Sequence, residues 1–107
     1  MRQELKEVVN TTDENGNPTG GHVKAVGIEI NWQNGPLGRG SERAEPNGAF
    51  VETVIAAALQ RIEYYQASKF KCLSNENAIK HLQIALNWLD IRTKEREERE
   101  VEGTHKV

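Results

Sequence analysis

The sequence predicts an α+β protein, with a small N-terminal antiparallel β element followed by a long antiparallel helical hairpin that oligomerises. Three patterns predict this. Val26, Ile28, Ile30 and Trp32 recur at period two, the repeat of a strand with one covered face. Phe50, Val51, Val54, Ile55, Ala58, Leu59, Ile62 and Tyr65 fall on one stripe of a 3.6-residue helix. Ile79, Leu82, Ala85, Leu86 and Leu89 make a second such stripe. We expect one domain over residues 1–107, with the β element and a loop in 1–46 and the hairpin and a tail in 47–107.

Residues 1–10 alternate weakly, with Leu5, Val8 and Val9 as their apolar positions. The stretch from Thr11 to Gly21 is dense in turn formers, including Asn15-Gly16 and Asn17-Pro18, which mark chain reversals. It is expected to link residues 1–10 to a strand over His22–Trp32. Residues 33–47 form a long irregular loop, of a length that often carries function. Asn47 is a good N-cap for the first helix and Ser74 for the second, and Gln66 to Leu73 joins them. That link is short enough to make the helices antiparallel neighbours. The charged segment after Thr93 holds Lys94–Glu98 and Glu95–Arg99 at i,i+4 spacing, and Gly103 stands where a C′ glycine would end the helix. Thr104 to Val107 is a tail that is either free or docked.

The second helix has another apolar line, Ile84, Trp88 and Ile91, turned by more than a right angle from its core stripe. A helix apolar on two sides needs two packing partners. The hairpin supplies one, and the other is a second subunit or the β element.

The bulk composition narrows the function. With 36% hydrophobic and 28% charged residues the chain has the balance of a folded protein. A net charge of −2 and the lack of a basic stripe weigh against a nucleic-acid polymer as partner, so anion recognition has to be local. One cysteine, Cys72, allows no internal disulfide and fits a reducing cytoplasm, where it is expected in the core. Residues 1–6 hold no apolar run, so no secretory leader is expected, and no stretch reaches the ~20 apolar residues of a membrane span.

Catalytic signals are weak. His22, His81 and His105 lie far apart, and none belongs to a metal-ligand motif, so neither a metal nor a cofactor is expected. Ser41, Ser68 and Ser74 lack an evident base. Binding signals are better. Arg92, Arg96 and Arg99 share one side of the second helix, with Trp88 a turn earlier. A guanidinium fork grips phosphate and an aromatic ring stacks on a base. Arg96 and Arg99 could instead pair with Glu95, Glu100 and Glu102 while Trp88 packs an interface. Gly38-Arg39-Gly40 could present backbone N–H groups and one charge to an anion, or simply turn the chain. Around the inter-helix link, Tyr64, Tyr65, Asn75 and Asn77 could stack on adenine and pair with its edge, or serve the core and the helix start.

Taken together, several segments resemble a known family. They are Asn34 to Gly40, Pro46 to Val51, Tyr64-Tyr65-Gln66 and the block from Glu76 through Arg92-Thr93 to Val101-Glu102-Gly103-Thr104-His105. In that order they resemble the phage Thoeris anti-defence sponges, which share a helical hairpin with the sponges that oppose CBASS. The likeness covers roughly residues 30–107. It implies a non-enzymatic phage protein, acting in the cytoplasm of the infected bacterial host, that sequesters cyclic ADP-ribose isomers such as gcADPR without degrading them. It implies homo-oligomers, from dimers to the hexamers of some members, and in those members separate pockets for cyclic di- or trinucleotides of CBASS. Under this resemblance adenine lies against Tyr65 with Asn75 at its edge, and the diphosphate lies on Arg92 assisted by Arg96 or by an arginine of a partner subunit. Thr104 and His105 close as a lid, and Gly38, Arg39 and Gly40 form the second pocket. A rival from another class is an enzyme that cleaves the same signals.

Overall fold

A computed structural model describes residues 1–107. The strands are β1 (Glu7–Thr12), β2 (Pro18–Ala25) and β3 (Ile28–Asn31), followed by a short 3-10 turn at Gly40–Glu42 and the helices α1 (Val51–Gln66) and α2 (Leu73–Glu98). Two compact units result. One comprises Met1–Phe50 together with Val101–Val107, and the other Val51–Glu100.

The first unit is a three-stranded antiparallel sheet in the order β1-β2-β3. In register, Val8 pairs with Val23 and Val23 with Ile30, so one face carries an apolar row across all three strands. The opposite face carries Glu7, Lys24 and Glu29 in the next row. The β1–β2 turn is organised by Asp13, whose carboxylate accepts from the backbone N–H of Asn15 at 2.8 Å and of Asn17 at 3.0 Å. The expected single strand over His22–Trp32 is two strands. Val26-Gly27 is a two-residue reversal in which Gly27 has φ +76, a conformation that a β-branched residue resists. Val26, one of the four period-two positions, is therefore a turn residue and 58% exposed. Periodicity alone reports alternation but not where the chain doubles back.

The sheet continues into residues 32–49 through an amide latch. Trp32 makes an isolated parallel bridge with Ala49. The Asn47 side chain accepts from Asn34 N at 2.8 Å and donates to Asn34 O at 3.0 Å. Gln33 Oε1 accepts from both Asn47 N and Gly48 N. Asn47 thus does not cap α1, which begins at Val51, because its amide is spent across the loop.

The second unit is the hairpin. Its inner face is half-buried at Val54, Ile55, Leu59, Ile62 and Gln66 on α1, facing a stripe from Asn75 through Ala78, Ile79, Leu82, Ala85, Leu86 and Leu89 to Thr93 on α2. Tyr65 lies off this stripe, 42% exposed, and Gln66 takes the inner place. The six-residue link is closed by Gln66, which donates to Cys72 O and accepts from Cys72 N, both at 3.1 Å. Cys72, not Ser74, caps α2, its Sγ accepting from Asn75 N at 3.4 Å. A cap lies ahead of the first turn, so Cys72 is exposed and not a core residue. At the other end α2 stops at Glu98, and Glu100 with φ +57 takes the left-handed place expected of Gly103.

Neither helix contains a fully buried residue. In the whole chain Val101 is the one buried apolar side chain. The chain exposes 8514 Å². Two separately compact bodies of half its mass would together expose roughly 7,200 Å² by the surface–mass scaling of folded monomers.

Candidate functional site

The residues singled out from the sequence fall into three places. The first is the clasp of the N-terminal unit, where the tail is docked. Gly38 N donates to Gly103 O at 2.9 Å, and Arg39 Nη1 donates to Glu102 O at 3.1 Å. Arg43 grips the Glu102 carboxylate with both terminal nitrogens, at 2.7 and 3.0 Å, the geometry in which a guanidinium binds carboxylate best. The approach is so close that a Cβ on Gly103 would lie 2.4 Å from Gly38 O, at a residue whose φ is +79. Thr104 donates its hydroxyl to Val101 O and accepts from Lys106 N at 3.2 Å. The loop Gly38-Arg39-Gly40 and the tail with Thr104 and His105 are therefore one assembly. Arg43 and Glu102 are its strongest bond. Arg43 was not singled out in the sequence, because its partner lies 59 positions away.

The second place is the tip of the hairpin. Arg61, Tyr64 and Tyr65 meet there at i, i+3 and i+4 on α1, the spacing that brings side chains onto one helix face. The guanidinium carbon of Arg61 lies 4.9 Å from the centroid of each tyrosine ring. Its Nε donates to the Tyr65 hydroxyl oxygen at 3.1 Å. The two rings are 6.0 Å apart and tilted at 58°. Beneath them Ser68 donates to Tyr65 O and accepts from Phe70 N, and Asn75 Nδ2 reaches Phe70 O at 3.5 Å. Tyr65 and Asn75 thus flank the same six-residue link. Residues 61–71 carry Arg61, Lys69 and Lys71 against Glu63 alone, so the tip is basic in an acidic protein.

The third place is the C-terminal half of α2, with Arg92 exposed and Arg96 half-buried. Asn75 and Arg92 stand on one continuous helix. At about 1.5 Å per residue they are roughly 25 Å apart along its axis, more than one nucleotide spans. One copy of the hairpin therefore does not bring Asn75 and Arg92 together.

Residues 24–93 match the family model described as Acb2/Tad1, hairpin domain. The chain belongs to this hairpin-domain family. The match takes in β3, the latch, α1 and most of α2, and it bears out the resemblance read from residues 30–107. A curated relative, Thoeris anti-defense 1 of Bacillus phage SBSphiJ7, is 42% identical over 94 residues. That alignment covers 80% of this chain and 63% of the relative, so the chain spans less than two thirds of that protein's length. The N-terminal turn and the docked tail lie outside the residues that define the family's hairpin. No helix is long and apolar enough to cross a membrane, and no group of three or more His, Cys, Asp or Glu is placed to hold a metal ion.

Proposed function

We propose that this chain is a phage anti-defence protein that binds a cyclic ADP-ribose isomer of Thoeris signalling, gcADPR, and sequesters it intact. The observation that carries this reading is the hairpin tip of an Acb2/Tad1-family chain, where Tyr65 and Asn75 flank one link beside fixed positive charge. Such a ligand has an adenine, two riboses and a diphosphate, so its site needs a stacking plane, an amide and cations. Tyr65 supplies the plane and Asn75 the amide, which donates and accepts at once. Arg92, assisted by Arg96, takes the diphosphate from a second copy laid antiparallel, because within one chain it stands too far from Asn75.

The exposed apolar line on α2 supports a second copy. Trp88 is 66% exposed, Ile91 51% and Ile84 41%. Covering them would bring toward the compact limit a chain that exposes more surface than two compact bodies of half its mass. Cyclic di- or trinucleotides of CBASS would use a different place, the clasp around Gly38, Arg39 and Gly40. Arg39 already holds the carbonyl of Glu102 there, so such a ligand must compete with the docked tail.

The test is to titrate gcADPR into the protein by calorimetry, denature the complex and identify the nucleotide recovered. Intact gcADPR after tight binding supports sequestration. A cleaved or isomerised product identifies an enzyme instead, and no heat from folded protein ends the ligand assignment.

A further inference from the structure

The Tyr65 site has a cation that its sequence context hides. We propose that Arg61 binds the ligand directly, presenting its guanidinium fork to a phosphate of the nucleotide whose base stacks at Tyr65. The inference rests on the ligand reading above and assigns the phosphate contact made from the same copy as the base contact.

Three observations lead to it. Arg61 is held in place: Nε is bonded to the Tyr65 hydroxyl at 3.1 Å, and the guanidinium lies against two aromatic rings. Both contacts leave Nη1 and Nη2 without a protein acceptor, so a planar pair of donors stands ready at the surface. A guanidinium that is already oriented loses less rotamer freedom on gripping an oxyanion than a free side chain would. Competing carboxylates are few. Glu63 is two positions along α1, a spacing that points it to another face, while Lys69 and Lys71 add positive charge from the link. Since Arg61 covers one side of Tyr65, the base would stack on the side it leaves open, and the fork would take a phosphate of the same nucleotide. Arg61 and the Arg92 of a second copy would then hold the diphosphate from two sides.

The experiment compares wild type, Arg61→Met and Arg61→Lys by gcADPR calorimetry at two salt concentrations, with helix content checked by circular dichroism. Arg61→Met keeps an unbranched stem without the charge and should weaken binding by at least about tenfold, the loss expected of a charge-assisted pair of bonds. Its dependence on salt should flatten as well. Arg61→Lys restores charge without the fork and should fall between the two. Should the Met variant lose its helix, the Lys variant still decides, because it keeps stem and charge. Wild-type affinity in folded variants overturns the Arg61 assignment alone. No binding by wild type overturns the gcADPR reading, and this assignment with it.

Discussion

The two units of this chain solve the problem of small size in opposite ways. The N-terminal unit has little apolar core, yet its irregular parts are tied down by directed polar bonds: the Gln33–Asn34–Asn47 latch, the Asp13 turn, the Gly38–Gly103 contact and the Arg43–Glu102 pair. The hairpin has few such bonds between its helices. It depends on a half-buried apolar stripe and leaves Ile84, Trp88 and Ile91 in water. Directed bonds fix a shape within the chain, whereas unspent apolar surface invites something from outside it. The first unit is accordingly built as a self-contained clasp, and the second as a surface awaiting company. The candidate ligand residues Tyr65, Asn75, Arg61 and Arg92 all lie on the second.

That contrast can be broken, and the harshest attempt is Gly103→Val. It places a β-branched residue at φ +79 with its Cβ against Gly38 O, and it should destabilise the clasp by about 3 kcal/mol. Hydrogen exchange should rise in residues 37–44 while α1 and α2 stay protected. Equal loosening of both units would erase the distinction.

Next comes Arg92→Ala, expected to weaken gcADPR binding by roughly ten- to hundredfold through loss of a charge-assisted phosphate contact. Calorimetry measures it, and unchanged affinity places the diphosphate elsewhere. Trp88→Glu sharpens the comparison from the other side. A carboxylate on the exposed line should lower the mass found by light scattering to that of a monomer, and an oligomer that survives it uses another face.

Glu102→Gln is milder. It removes the charge from a pair that is partly exposed on both sides, so about 0.5 kcal/mol is expected in a urea titration. The smallest effect is one of pH. His22 Nε2 lies 3.0 Å from Glu7 Oε1 on the polar face of the sheet, close, but off the line of a directed hydrogen bond. The polar contact with His22 and then its charge hold the Glu7 carboxyl below its ordinary value of 4.5, with Lys24 adding a little. A depressed carboxylate stabilises the fold fully above that ordinary value and less as pH falls through the lowered one. Glu7→Gln should therefore narrow the gap in melting temperature between pH 6 and pH 3, and a gap as wide as in wild type would refute it.

How much of this was legible in the residues depends on how far apart the partners stand. The hairpin was, because its stripes repeat every three or four positions and its link is short. Arg61, Tyr64 and Tyr65 were legible in principle too, since i, i+3 and i+4 spacing is local. The tyrosines stand out as adenine-stacking candidates, but their grouping with Arg61 does not, because Tyr65 falls on a nominal core stripe that in the fold passes to Gln66. The turn at Val26-Gly27 was obscured by a period-two pattern that continues across it, and the cap at Cys72 by a serine two residues on.

By itself the sequence determined the α+β order, the two-sided α2 and the family, since all three rest on local periodicity or ordered segments. Only the tertiary structure decided that the tail is docked on residues 37–44, that Asn47 braces a loop, and that Asn75 and Arg92 stand a helix apart. The physical reason is that these are contacts between distant parts of the chain, or lengths set by a straight helix. A linear pattern of residue types carries no record of either.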